Sequence, residues 1–421
     1  MEKRGMKKTL LAVGALCANT LFAATVEPTA VSVRQNWPWE RLVYIDCTLE
    51  GEGTCDLDFA ATWRGRTEPL RLTSGTGLTG RIHGVGSGAK TFVWDPQSAG
   101  ITGSLADFRV VVTSADAALR VYLVIDLESG AYDYLADIPS GGWTDEHKTT
   151  RMVFRRIAAG TFTMGASDEL RQLAGFSDAR EKDHAVTISS DYYLAIFPMT
   201  RAQYRTLSGD TTVANTKIWH ELTYTNVRGT IADGVNWPTT GYNTIKSGSL
   251  VAMLRAKSPE FLFDLPTEAM WEYAARAGSE GLWYATENFP GGGTSAELGS
   301  IGSEACTNLL NSIAQWLPAS GESVGAEVGT RLPNAWGIYD AIGLFREWCL
   351  DATNLAALPD ATDPTGIAAT AGNELRMIRG SASTDIKDVT IPRRVARSVA
   401  NGSNCRIAIH LERLDVEESA Q

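Results

Sequence analysis

The chain has 421 residues, more than one ordinary hydrophobic core organises, so about two domains are expected. Hydrophobic residues make up 44% of the sequence, which is typical of globular proteins, and the formal net charge is −11. Because nucleic-acid binding depends on clustered Lys and Arg, the acidic balance and the lack of a basic stripe argue against a nucleic-acid partner.

Residues 1–24 have the pattern of a cleaved secretory signal. Lys7 and Lys8 precede the apolar run Thr9–Phe22, and the small residues Ala23 and Ala24 follow it. This run is too short to span a bilayer, and no later apolar run reaches spanning length. We therefore expect a signal peptide at 1–24, a secreted, periplasmic or extracellular protein, and no membrane span.

Residues 25–145 show the two-residue periodicity of β-strands. Hydrophobic residues recur at every second position in three runs, Val43–Leu49, Leu57–Trp63 and Leu119–Leu127. Glycine-rich turns between such runs are typical of antiparallel sheets. The pattern predicts an all-β sandwich domain over residues 25–145.

Two cysteines in this first domain are predicted to form a disulfide. Cys47 and Cys55 are separated by a glycine-rich segment, in CTLEGEGTC, which favours a short hairpin. In an oxidising compartment the hairpin would bring both thiols together. The pairing of the remaining cysteines, Cys306, Cys349 and Cys405, stays open.

A polar segment at residues 138–151 is the predicted boundary before a second domain at 151–413, with a tail at 414–421. Two helices are predicted in this domain. The first begins at Thr200, whose spacing to Gln203 is that of a capping box. The second lies in FDLPTEAMWEYAARAG (263–278), with Thr267 as its N-cap. Glu268 and Glu272 share one face of this helix, and we expect them to be solvated or to cap the helix.

Five motifs follow one another in the second domain. They are RIAAGTFTMGAS (156–167), YYLAIFPMTRAQY (192–204), LPTEAMWEYAARAG (265–278), NAWGIYDAIGLFREWCLD (334–351) and RMIRGSAS (376–383). In this order they resemble the formylglycine-generating enzyme family, also called sulfatase-modifying factors. The resemblance covers about residues 151–411. It implies an α+β domain, related to the C-type lectin fold, with little regular secondary structure.

The resemblance places the family's chemistry at two cysteines after the last motif. The family's enzymes use copper, held by these cysteines, and molecular oxygen to oxidise a sulfatase cysteine to formylglycine. Here Thr384 and Val389 occupy the two positions. Neither side chain provides the thiolate that a soft copper ion requires, so we predict neither copper nor a catalytic residue.

The resemblance also implies a structural calcium site in the fourth motif. Its ligands would be the carboxylates of Asp340 and Glu347 and the backbone carbonyls of Gly343 and Phe345, because calcium prefers oxygen ligands from a loop. The alternative is that the two carboxylates accept hydrogen bonds from backbone amides or from Arg346.

Two further sets of residues follow from the resemblance. A second metal site of the family would begin at Asn308 and Leu309. In this fold class, exposed loops of the C-terminal third bind ligands. The corresponding residues here are Ser383, Thr384, Asp385 and Lys387. The alternative for this segment is an ordinary surface loop.

Three functions are consistent with the sequence. The first is a secreted, non-catalytic module that binds a glycan or a cell-surface protein. The second is a formylglycine-generating oxidase with displaced cysteines, for which Cys349 and Cys405 are the candidates. The third is a structural cell-surface protein. The residues at the two copper-ligand positions favour the first.

Overall fold

The computed structural model of the chain describes residues 26–35, 40–63, 66–70, 72, 81–99, 108–116, 120–176, 179–210, 222–233, 245–316, 327–352, 356, 358–365, 375–380, 383 and 385–410. The predicted signal peptide, the tail at 414–421 and Thr384 lie outside these residues. No helix within the described ranges is long and apolar enough to cross a membrane.

The chain divides into two compact units. The first comprises Met1–Val121, Glu260–Leu262 and Leu411–Gln421, and the second comprises Tyr122–Pro259 and Phe263–His410.

The first unit is all-β, as predicted. Its strands are β1 (Val26–Gln35), β2 (Val43–Trp63), β3 (Arg66–Pro69), β4 (Arg81–Trp94) and β5 (Arg109–Asp116), with a 3₁₀ turn at Pro96–Ala99. The long strand β2 pairs antiparallel with each of the other four. Its alternate residues, including Ile45, Leu57 and Phe59, are buried in one apolar core.

The hairpin predicted between Cys47 and Cys55 is wrong. Both residues lie in β2, and residues 50–53 form a bulge between the pairs Leu49–Gly88 and Thr54–Gly86. The chain therefore continues in one direction where a reversal was expected. Both thiols are buried and free in the structure. Burial, and then the proximity of Cys55, raises the pKa of Cys47 to about 12. The disulfide itself stays a prediction.

The second unit mixes helices and sheets, as predicted. Its strands are β6 (Tyr122–Asp126), β7 (Tyr132–Leu135), β8 (Arg151–Ile157), β9 (Gly160–Met164), β10 (His184–Ile188), β11 (Tyr192–Ala195), β12 (Leu222–Thr223), β13 (Phe263–Asp264), β14 (Glu347–Ala352), β15 (Ala361–Thr362), β16 (Leu375–Arg379), β17 (Val395–Ser398), β18 (Gly402–Cys405) and β19 (Ala408–His410). Three sheets result, with the orders β13-β19-β11-β8-β6-β7, β15-β10-β9 and β12-β18-β14-β16-β17.

The boundary between the units lies at residues 121 and 122, before the predicted boundary segment at 138–151. The reason is strand pairing: β6 pairs antiparallel with both β7 and β8. Most of the run Leu119–Leu127, which we assigned to the first domain, therefore belongs to the second unit.

The helices of the second unit are short. They are α1 (Asp168–Ala174), α2 (Arg201–Ser208), α3 (Tyr224–Val227), α4 (Leu250–Lys257), α5 (Glu268–Arg276), α6 (Ser295–Leu298) and α7 (Glu304–Ile313), with 3₁₀ turns at Asp145–Lys148 and Ile231–Asp233. The capping box of α2 forms as predicted, since Thr200 and Gln203 exchange hydrogen bonds of 3.1 Å. At α5, Thr267 Oγ1 accepts from the Met270 amide at 3.1 Å, and Ala277 ends the helix with a φ of 46°.

Candidate functional site

The segment between β16 and β17 carries the two positions where the family has its copper ligands. Val389 is fully buried, and its carbonyl oxygen accepts a hydrogen bond from the indole N–H of Trp283. Two residues later the amide of Ile391 donates to the carbonyl of Leu282 at 2.8 Å. The segment is thus fixed to the chain at Leu282 and Trp283, and the Val389 side chain packs in the interior.

The described cysteines of the second unit are all buried. Cys405 lies in β18 opposite Trp348 of β14, and Cys349 is the next residue of β14. Burial, followed by the carboxylates of Asp351 and Glu268, raises the pKa of the Cys349 thiol well above its ordinary value. Burial likewise raises the pKa of Cys405. In this environment both residues favour the neutral thiol, which is a poor copper ligand.

A buried ionic network lies next to the segment between β16 and β17. Arg379 Nη1 donates to Glu268 Oε1 at 2.8 Å, and Arg394 binds both oxygens of Glu268, at 2.8 Å and 2.9 Å. Glu272 is bound by Arg379 and, at 2.8 Å, by Arg276. Burial would raise the pKa of each glutamate, but the arginines outweigh it and lower both values. The expectation that Glu268 and Glu272 are solvated or cap the helix is therefore wrong.

The pKa of one acid beside this network is raised, whereas the pKa values of the two glutamates are lowered. Asp351 is buried, and its Oδ2 accepts a hydrogen bond of 2.6 Å from the backbone amide of Glu268. Burial, and then the charge of Glu268, raises the pKa of Asp351 to about 7. Asp351 is therefore a buried carboxyl group that titrates near neutral pH.

The predicted calcium ligands are in one region but have other partners. Asp340 is buried in a left-handed conformation, with a φ of 52°, and its Oδ2 accepts from the Gly329 amide at 2.6 Å. Its Oδ1 is buried without a partner among the described residues, and burial raises its pKa to about 6. Gly343 also has positive φ, at 80°, in the loop that leads to the half-buried Phe345. An orphaned carboxylate oxygen of this kind suits a cation.

Glu347 is not available as a ligand in this arrangement. Arg406 binds both of its oxygens, at 2.9 Å and 3.1 Å, and the indole N–H of Trp271 donates to Oε2 at 2.7 Å. The Arg406 guanidinium thus supplies the positive charge that an ion would bring. Without Glu347, Asp340 and two carbonyls offer far fewer than the roughly six to eight oxygens that calcium takes. The four-ligand set therefore does not fit calcium as the structure places it.

The second predicted metal site, which would begin at Asn308 and Leu309, stays a prediction. Asn308 is exposed on α7, whereas Leu309 is buried, and the Leu309 carbonyl accepts from the Ser312 hydroxyl at 2.7 Å. Across the described ranges, no group of three or more His, Cys, Asp or Glu residues is arranged to hold a metal ion.

Three of the predicted ligand-binding residues, Ser383, Asp385 and Lys387, are linked by hydrogen bonds in one turn. Ser383 Oγ accepts from the Asp385 amide, and Asp385 Oδ1 accepts from the Lys387 amide, both at 3.0 Å. Asp385 and Lys387 are exposed, while Ser383 is half-buried. We call Ser383 and residues 385–388 the binding turn. Its backbone is held internally, so the two charged side chains are presented to solvent.

Our sequence interpretation missed a group of arginines beside the binding turn. Arg393 Nη1 lies 3.0 Å from Glu181 Oε1, and its Nε lies 3.2 Å from Asp388 Oδ1. Asp388 also accepts from the Ser383 hydroxyl at 3.3 Å, so it connects the turn to Arg393. A signal was present in the segment PRRVARS at 392–398, where basic residues recur in and before a strand.

One family model and two solved structures are similar to this chain. The family model described as a sulfatase-modifying factor enzyme 1-like domain matches residues 143–406. The solved structure of PvdO from Pseudomonas aeruginosa is 22% identical, with a TM-score of 0.43, and the match covers 62% of this chain and 94% of that one. The structure of Treponema denticola variable protein 1 is 20% identical, with a TM-score of 0.41. This match covers 62% of this chain and 95% of that one. No curated protein matches the sequence significantly.

The family match spans more than half of the chain and includes all five ordered motifs as well as the segment that leads to Val389. This protein therefore belongs to the sulfatase-modifying factor, or formylglycine-generating enzyme, family.

Proposed function

We propose that this protein is a secreted, non-catalytic member of its family that binds a ligand through the binding turn and its surroundings. The proposal rests above all on Val389. This residue stands where the family has a copper ligand, its side chain is buried and apolar, and its carbonyl is bonded to Trp283. A side chain without a lone pair cannot coordinate copper, so the reaction loses its metal.

Among the described residues, Cys349 and Cys405 are poorly suited to replace the missing copper ligands. Copper chemistry requires thiolates that reach substrate and oxygen, and reactive cysteines are typically exposed and have a lowered pKa. Cys349 and Cys405 are buried, and burial raises the pKa of both. An oxidase with displaced cysteines would need both of these thiols to become exposed.

The scaffold around the binding turn suits recognition. The ionic network of Glu268, Glu272, Arg379 and Arg394 fixes the strands on either side of the turn, while Asp385 and Lys387 stay exposed. A rigid base with exposed loop residues limits the entropy lost when a ligand binds. A glycan or a cell-surface protein is the class of partner that we propose for a secreted protein with this arrangement.

The decisive experiment is mass spectrometry of a Cys-x-Pro-x-Arg peptide incubated with the mature protein, copper and oxygen. An active enzyme of the family serves as the positive control. We expect no formylglycine from this protein. Formylglycine formation that disappears in Cys349→Ser or Cys405→Ser would overturn the proposal in favour of an oxidase.

The binding role has its own test. Glycan-array binding of the wild type should be reduced in an Asp385→Ala, Lys387→Ala double variant and retained in a control variant at the exposed Arg331. Equal binding by all three proteins would contradict the role of the binding turn.

A further inference from the structure

One face of the sheet that contains β14, β16 and β17 is unusually basic. Arg379 and Glu347 are opposite each other in β16 and β14, and both reach side chains of α5. Because side chains alternate along a strand, the other face carries Arg346, next to Glu347, and Arg376, three residues before Arg379. We call this the arginine face.

The neighbouring strand adds two more arginines to the arginine face. Arg397 of β17 pairs directly with Arg376 of β16. Arg393 precedes β17 and has the same parity as Arg397, while Arg394 between them binds Glu268 beside α5. Like charges directly opposite each other in a sheet are destabilising, so the Arg376–Arg397 pair brings a repulsion to this face.

The charge on the arginine face is only partly balanced. Arg393 has Glu181 and Asp388 as partners, and Arg376 lies over the ring of Tyr224. Within the described part of the chain, neither Arg346 nor Arg397 has an ion-pair partner, and the Nε of each is buried without a hydrogen-bond acceptor. Burial, together with the charges of Arg397 and Arg393, outweighs Asp388 and lowers the pKa of Arg346.

Structural arginines in the same unit behave differently. Arg379, Arg394 and Arg406 are buried, and each is bound to a glutamate at 2.8–2.9 Å. Each of these three structural arginines therefore has a buried carboxylate partner within the chain. Arg346 and Arg397 are half-buried, and among the described residues no carboxylate forms a salt bridge with either of them.

We propose that Arg346, Arg393 and Arg397 bind an oxyanion group of the ligand, such as a sulfate, phosphate or carboxylate. Guanidinium groups form paired, charge-assisted hydrogen bonds with such anions. An oxyanion would also relieve the repulsion between the like-charged side chains of the arginine face. The net charge of −11 disfavours anions elsewhere on the surface, which makes a local basic site selective.

This inference rests on the proposed binding function and names the chemistry of its ligand. Asp388 connects the two regions, because it contacts Ser383 of the binding turn and Arg393 of the arginine face. A ligand on the turn is therefore within reach of the arginines. Loss of anion binding and detection of formylglycine are separate results, so the two proposals fail independently.

The test is calorimetric titration of the full mature protein with sodium sulfate, sodium phosphate and sodium acetate at constant ionic strength, with sodium chloride as the reference. The three salts separate tetrahedral from planar anions. We expect saturable binding of at least one oxyanion. Arg346→Gln and Arg397→Gln should each weaken binding about tenfold or more, because each removes a charge-assisted hydrogen-bond donor pair. Arg331→Gln, at an exposed arginine of the same unit, is the matched control and should bind like the wild type.

A second readout separates ligand binding from a structural role. Without anion, Arg397→Gln should melt at or above the wild-type temperature, because it removes a like-charge repulsion. Binding that is indistinguishable from chloride, or that survives unchanged in both arginine variants, would overturn the proposal. A lowered melting temperature of Arg397→Gln in anion-free buffer would also overturn it, since the arginine would then be stabilising the fold.

Discussion

The substitution Asp351→Asn should stabilise the second unit at neutral and alkaline pH. Asp351 is buried and its Oδ2 accepts the Glu268 amide at 2.6 Å, a bond that the asparagine carbonyl oxygen also accepts. The substitution therefore keeps the shape and the acceptor, and it removes the charge.

The sign and size follow from the carboxyl group's pKa. Burial and the charge of Glu268 raise it from 3.8 in the unfolded chain to about 7 in the native protein. The protonated Asp351 carboxyl group therefore makes its full contribution to stability below pH 3.8, and this contribution is lost as the pH rises towards about 7. At about 1.4 kcal/mol per pH unit, the ionised carboxylate lowers the free energy of unfolding by about 4 kcal/mol at alkaline pH. Asp351→Asn should recover a large part of this.

The assay is urea unfolding of wild type and Asp351→Asn at several pH values between 5 and 8. The difference in unfolding free energy should grow with pH, and the variant should lack this part of the pH dependence. Asp385→Asn, at an exposed position of the binding turn, controls for the change in net charge. A constant difference across the pH range, or a variant less stable than the wild type at pH 8, would refute the reasoning.

The other predictions concern charges and thiols. Glu268→Gln should lower the free energy of unfolding, measured by urea denaturation, by about 3–5 kcal/mol, because it leaves buried arginines without their carboxylate. A loss no larger than that of the exposed control Glu146→Gln would contradict a stabilising role of the buried network. A calcium chelator should leave the melting temperature unchanged, because Arg406 already neutralises Glu347, whereas a decrease that Asp340→Ala abolishes would restore the calcium site. The described cysteines are all buried, so a thiol reagent should modify the native, reduced protein only as fast as it unfolds, and rapid labelling would show that a thiol is accessible.

Local signals in the sequence predicted local structure well. The capping box at Thr200 and the N-cap at Thr267 depend on side chains three residues from their partners, so the chain itself contains the information. The strand periodicity of the first unit was equally direct. The pairing of these strands could not be predicted from the sequence, because Gly51 and Gly53 permit either a hairpin or a bulge. The bulge forms because β2 continues as one strand that pairs with four others.

Long-range partners account for the remaining differences. Glu268 and Glu272 have the composition of an exposed helix face, yet Arg379 follows more than a hundred positions later in the chain. Glu347 likewise matches a calcium ligand by spacing, and its partner Arg406 is distant in sequence. Tertiary contacts decide whether a carboxylate has an arginine partner, and these contacts cannot be deduced from the spacing of residues in the sequence. The arginine face was missed for the same reason, since it is assembled from separate strands.

The proposed non-catalytic function requires that the position occupied by Val389 does not support copper binding. Competition of the reduced mature protein against a copper(I) chelator under anaerobic conditions tests this claim most directly. A Thr384→Cys, Val389→Cys variant provides the matched comparison, because it restores the family's two cysteines at their positions. We predict that the wild type does not compete for copper(I). Stoichiometric copper(I) binding by the wild type, lost on Cys349→Ser or Cys405→Ser, would contradict the account.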